Sequence, residues 1–215
     1  MLDACDESRQ TFQLSANPRV EVLNVNGDVV IHTSDSDLVE VEIVRHAQRQ
    51  KDLKHHPVNV AHTAGSLIIQ GKEDRAAYRR GIHVQQHVKL KIPRQANLQI
   101  SLLVKGISGS VQLDEFEGPV SIEQVSGDLR AAIRRMDQGG IQISSIRGQV
   151  DLRFSEVFNA ELTVKSIGGG IDINLPNVET SDQDARVSMS LRIGTGGPPL
   201  SILKVSGMVE LALGL

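Results

Sequence analysis

Aromatic residues are nearly missing from this 215-residue chain: four Phe, one Tyr and no Trp, or 2% of the total. Wide sandwich and barrel interiors rely on large rings, so a core here has to be thin and built from Val, Ile, Leu and Ala. Unspecific single-strand binding also needs rings for base stacking. The net charge of -3 supplies no basic field to draw a polyanion. Both absences argue against nucleic acid as a partner. Cysteine occurs once, at Cys5, which rules out an intrachain disulfide framework. No apolar run reaches the about 18 residues that mark a membrane-spanning helix.

The arrangements that carry chemistry are thin as well. The nearest string to a nucleophile elbow, Gly106-Ile107-Ser108-Gly109, lacks the Gly-x-Ser-x-Gly spacing. Gly194-Thr195-Gly196-Gly197-Pro198-Pro199 is followed neither by Lys-Ser/Thr nor by a helical pattern, so it does not read as a phosphate cradle. His46, His55, His56 and His62 lie in one region without the tight spacing of a metal site. His83 and His87 sit four residues apart on a strand, roughly 13 Å at about 3.3 Å per residue, too far to share one zinc. Asp128, Asp151 and Asp172 could stack as an outward ladder offset by Arg130, Arg134 and Arg153, which is more naturally structural than catalytic. The expectation is a protein without catalytic residues, metal or cofactor.

What the chain has instead is a repeat. Val125-Ser126-Gly127 returns as Ile107-Ser108-Gly109, Ile146-Arg147-Gly148, Ile167-Gly168-Gly169 and Val205-Ser206-Gly207, with Val25-Asn26-Gly27 as an early relative. Gly127 to Gly148 and Gly148 to Gly169 are each 21 residues. Each interval holds two short segments of alternating apolar and polar residues, the strand signature. A fixed period near 20 marks stacked repeats, in which one unit buries its apolar face only against its neighbours. The reading is a parallel β-solenoid, a β-helix or β-roll, with about 21-residue two-strand coils. Gly27, Gly109, Gly127, Gly148, Gly169 and Gly207 would be its turn glycines, and Leu129, Val150 and Ile171 would lie one over the next. The competing arrangement is an antiparallel meander with glycine turns.

Before Gly106 the pattern is strand-rich but irregular. This predicts a disordered segment over 1–11, an N-terminal β layer or set of initial coils over 12–95, and regular repeats over 96–215, in one continuous domain. Two excursions are strongly polar, Arg45 to His56 and Lys72 to Arg80. Such runs are commonly just solvated loops; the functional reading is a contact patch of Arg45, Arg49, Lys51, Lys54, Arg79 and Arg80 for an anionic lipid surface or envelope polymer. Leu2-Asp3-Ala4-Cys5 loosely resembles the end of a bacterial lipoprotein signal, although Asp3 departs from the usual small residue and the upstream segments are missing. Lipidation at Cys5 and an unremarkable thiol in a frayed terminus are both open. Leu211-Ala212-Leu213-Gly214-Leu215 forms an apolar alternating end that could pair edge to edge with another copy.

The Gly27-Asp28-Val29-Val30-Ile31 strand, the Val88-Lys89-Leu90-Lys91-Ile92-Pro93 strand, the Ser-Gly repeats and the closing Gly196-Gly197-Pro198-Pro199-Leu200-Ser201-Ile202 resemble the bacterial putative-adhesin family of β-strand-repeat proteins, a domain of unknown function. The resemblance runs from about Phe12 to Leu215. It implies a β-strand-repeat fold and frequent association with the cell envelope, and it brings no catalytic residues. The function expected is a non-enzymatic envelope module that binds a protein or polymer, periplasmic or surface-exposed. The alternatives are a self-assembling scaffold joined through terminal strand edges and a carbohydrate-active β-helix.

Overall fold

The computed structural model describes residues 4–15, 17–72, 74–94, 100–176, 178–179 and 188–214. The chain opens with β1 (Ala4–Gln13), β2 (Arg19–Leu23), β3 (Val29–Ser34) and β4 (Leu38–Ala47). A 3-10 helix (Gln50–His55), β5 (Val58–Thr63), β6 (Ser66–Gly71), the short helix α1 (Arg75–Arg79) and β7 (Val84–Pro93) follow. Then come β8 (Ser101–Ile107), β9 (Val111–Glu117), β10 (Val120–Val125), β11 (Leu129–Arg135), β12 (Ile141–Ile146) and β13 (Val150–Phe154). The chain closes with β14 (Ala160–Ile167), β15 (Gly170–Asn174), β16 (Val178–Glu179), β17 (Ser188–Ile193), β18 (Pro199–Val205) and β19 (Met208–Leu213).

Two large sheets result. One runs β1-β4-β7-β3-β9-β11-β13-β19-β15, the other β16-β17-β14-β18-β12-β10-β8-β2-β6-β5. Their inward residues form one apolar cluster, from Val20, Val22, Val29 and Ile31 through Ile122, Leu129 and Ile143 to Leu200 and Val209. The aliphatics alternate along each strand, so each sheet puts one face into that cluster.

This arrangement corrects the expected parallel β-solenoid. Both sheets are mixed: β1–β4, β4–β7, β5–β6, β14–β17 and β16–β17 pair antiparallel. The parallel strands are also not stacked in chain order. The last two strands, β18 in one sheet and β19 in the other, insert between β12/β13 and β14/β15. Leu129 pairs with Val150, but Val150 pairs with Val209, and Val209 in turn pairs with Ile171. Ile171 therefore does not lie over Val150. A 21-residue period is legible in sequence, but the order in which units stack is set by long-range pairing, to which periodicity is blind.

Three further expectations change. Residues 4–11, part of the expected disordered 1–11 segment, lie in β1, which pairs along its length with β4. The C-terminal strand is interior, flanked by β13 and β15, so Leu211 to Leu213 offer no free edge to a second copy. The acid ladder is rearranged: Glu210 stands between Asp151 and Asp172, and Arg153 bridges Asp151 and Glu210 at 2.6 Å each. Asp128 instead accepts the Gln149 backbone N–H at 2.9 Å.

Where the chain passes from one sheet to the other, it makes the same corner six times. The residue before each Val/Ile-x-Gly triplet has a left-handed backbone: Asn24, Gly106, Gln124, Ser145, Ser166 and Lys204. That conformation slips the alternation by one residue. Val25, Ile107, Val125, Ile146, Ile167 and Val205 consequently point inward after two residues that do not. The next residue then donates its N–H to the neighbouring unit: Ser108 to Val25, Ser126 to Ile107, Arg147 to Val125, Ser206 to Ile146 and Gly168 to Val205, at 2.8–3.1 Å. The six triplet glycines lie in this corner column. Gly109 donates to Gly27, Gly127 to Gly109, Gly207 to Gly148 and Gly169 to Gly207.

Candidate binding surface

The polar excursions all gather at one flank. β4 runs into the 3-10 helix, whose Leu53 packs with Ala4, Ala47 and Val84 in a small second core. α1 begins at Asp74, whose Oδ1 accepts the Ala76 and Ala77 N–H groups at 3.0 Å. The other carboxylate oxygen, Oδ2, meets His55 Nδ1 at 3.0 Å and ties the two short helices together. The Ala77 N–H, the His55 ring and the Ala76 N–H hold the Asp74 carboxyl below its ordinary range, since each favours the charged form.

The six cations expected to form a contact patch divide into two roles. Arg45 is half-buried and structural: it pairs with Asp6 and donates to the Leu53 carbonyl at 3.1 Å. Arg49, Lys51 and Lys54 are exposed on and beside the 3-10 helix, and Arg79 and Arg80 are exposed at the end of α1. The tether between the helices therefore puts five of the six on one flank.

A cleft of about 680 Å³ opens on the same flank. Its inner wall is the first corner, Asn24, Val25 and Asn26, with Gly106 and Ser108 of the next. Gln86 braces that wall from within and is 1% exposed. Its Oε1 accepts the Asn26 N–H at 2.9 Å, and its Nε2 donates to the His56 carbonyl at 3.0 Å. Asn26 donates from Nδ2 to the Val84 carbonyl at 2.8 Å and accepts from Ser108 Oγ at 2.8 Å. The rim consists of Asn59 and Gln70, paired across β5 and β6, with Lys72, Arg75 and Tyr78.

None of these cleft residues was singled out in the sequence as a site. Gln86 had a signal: Val84, Val88, Leu90 and Ile92 define an inward face, and Gln86 falls on it. A polar residue at an inward strand position has to be hydrogen-bonded. Asn24 and Gln70 carried none, because only the corner and the β2–β6 pairing, which sets Gln70 beside Leu23, bring them together.

In a second groove the charges are consumed by one another. A groove of about 500 Å³ on the outer face of the first sheet is lined by His32, Arg94, Asp114 and Glu115. His32 meets Asp114 at 2.6 Å and Arg94 meets Glu115 at 2.7 Å. The histidines are dispersed: His46 contacts the His87 ring, His55 holds Asp74 and His62 packs on Phe12. Among the described residues no group of His, Cys, Asp or Glu is placed to hold a metal ion. Cys5 is exposed on β1 opposite His46, with a free thiol.

Comparison with known proteins adds the following. The family profile Toastrack DUF4097 matches residues 101–212. No curated protein matches the chain. Among solved structures, a "putative cell adhesion protein" from Clostridium sporogenes superposes with a TM-score of 0.58 at 10% identity, covering 98% of this chain and 100% of that one. A "putative adhesin" from Bacteroides fragilis gives 0.32 at 10% identity, covering 96% and 97%. Another from Parabacteroides distasonis gives 0.35 at 14% identity, again covering 96% and 97%. At that identity the Clostridium likeness is one of fold.

Proposed function

The chain belongs to the Toastrack DUF4097 family, and from that membership we propose that it is a non-enzymatic, adhesin-like binding module of the bacterial cell envelope. The observation that carries this reading is the flank where Asp74 and His55 clamp two short helices together and five exposed cations of those helices accompany a polar cleft. The stacked corners form a stiff support for that flank. The partner is an anionic envelope polymer or an acidic protein surface, held at the periplasmic or outer face. Cys5, exposed near the start of β1, is the position at which a lipid anchor would attach.

Co-sedimentation of the full chain with isolated envelope fractions tests this. A cation near an anionic surface contributes about 1 kcal/mol. Replacing Arg49, Lys51 and Lys54 with Ala should then weaken low-salt binding roughly a hundredfold. Salt should weaken the unmodified chain in the same direction as the Debye length shrinks. Failure of the unmodified chain to sediment with any envelope fraction at low salt would end the proposal.

A further inference from the structure

We propose that the cleft beside the first corner binds an acidic sugar residue. This rests on the binding-module reading and names its ligand. Three observations converge on it. First, the inner wall is rigid: every polar group of the Gln86 and Asn26 side chains' bracing network is paired as described above. Second, groups are left over to meet a ligand: among the described residues the side chains of Asn24 on the wall and of Asn59, Gln70 and Lys72 on the rim make no hydrogen bond or ion pair. A side-chain amide carries a donor and an acceptor side by side, which matches the donor–acceptor character of adjacent sugar hydroxyls. Third, a cation stands ready there: among the described residues Lys72 lines the opening and makes no ion pair. The outer groove, by contrast, neutralises its own cations.

Tyr78 completes the arrangement. It is the only tyrosine in a chain with 2% aromatics, yet it stays 53% exposed at the cleft mouth. The His83 ring stands nearly perpendicular to it, 4.8 Å away between centroids, and braces its plane. A half-exposed ring has one apolar face to offer, which suits the C–H face of a pyranose. The cleft volume also falls within the about 300–1,000 Å³ of small-molecule sites. In the complex, Lys72 takes the sugar's anionic group, Asn24, Asn59 and Gln70 take its hydroxyls, and Tyr78 covers its ring.

With no tryptophan in the chain, intrinsic fluorescence comes from Tyr78 alone and reports on the cleft directly. The full chain is titrated with trigalacturonate, with glucose 6-phosphate, with neutral cellotriose and with inorganic phosphate. Saturable change with either acidic sugar, and none with cellotriose, is the expected result; which acidic sugar binds tells carboxylate from phosphate. Lys72→Ala and Gln70→Ala, both at exposed positions, should each weaken binding about tenfold. Melting temperatures equal to that of the unmodified chain would show that the fold is kept. Inorganic phosphate binding as tightly as the sugars would reduce the cleft to an anion hole and overturn the assignment. So would silent fluorescence in a protein that still sediments with envelope fractions, a result that leaves the binding-module reading standing.

Discussion

Gly127→Ala probes the corner column with little else changed. A Cβ at this position would lie 2.6 Å from the Gly109 carbonyl oxygen, 2.7 Å from the Gly109 carbonyl carbon and 2.7 Å from Ser110 Oγ. The serine hydroxyl can rotate away, but the backbone of the next unit cannot move without opening the column. Forcing an extra methyl into a packed site costs about 1–3 kcal/mol. The Gly127 N–H bond to Gly109, now 3.0 Å, would stretch and contribute up to about 1 kcal/mol more. The sum is about 1–4 kcal/mol, or a fall of roughly 2–16 °C in melting temperature for a domain of this size. Gly65→Ala is the control, because the nearest atom to its Cβ is Ser15 Oγ at 4.0 Å. There, reduced freedom of the unfolded chain leaves stability unchanged or raises it by up to about 1 kcal/mol. Both variants are followed by thermal circular dichroism. A Gly127→Ala protein melting with the Gly65→Ala control would refute the steric account of the corner.

Two further perturbations address the flank. Gln86→Leu fills the same space but leaves the Asn26 N–H and the His56 carbonyl without their bonds, at about 2–4 kcal/mol in urea unfolding; a loss below about 1 kcal/mol would mean that water replaces the amide at no cost. Asp74 has its pKa depressed below 3.8 on folding, so its contribution is fully present above that value and is lost as the pH falls through the folded one. The Ala76 and Ala77 amide resonances should hold steady at neutral pH and shift below about pH 4, and Asp74→Ala should remove that transition; shifts that persist in the variant would place the titrating group elsewhere.

Alternation of Val, Ile and Leu with polar residues makes strands legible, because the pleat alone decides which side chain points inward. The Val/Ile-x-Gly corners are legible for a similar local reason. Pairs such as Glu123-Gln124 and Ser144-Ser145 break the alternation just before each corner, and the left-handed residue sits at the second of each pair. Stacking order is not local. Nothing between Pro199 and Leu213 says that this unit sits between β13 and β15, since any unit presents similar aliphatics to any neighbour. Likewise Arg45 reads as one more surface cation until β1 brings Asp6 beside it. Asn59 and Gln70 become a rim only once β5 folds back on β6.

The inserted last unit is the feature that most separates this structure from a coil wound in chain order, and a cross-link reads it directly. Gln142 is registered beside Ser201, and Ser201 beside Thr163, all three on the outward face of their strands. Neighbouring strands lie about 4.8 Å apart, within disulfide reach, whereas strands two apart lie about 10 Å away, beyond it. In a Cys5→Ser background, Gln142→Cys with Ser201→Cys should oxidise to an intrachain disulfide in the folded protein, and Gln142→Cys with Thr163→Cys should stay reduced. The reverse outcome would mean that β12 and β14 are neighbours and that the units stack in the order they are written.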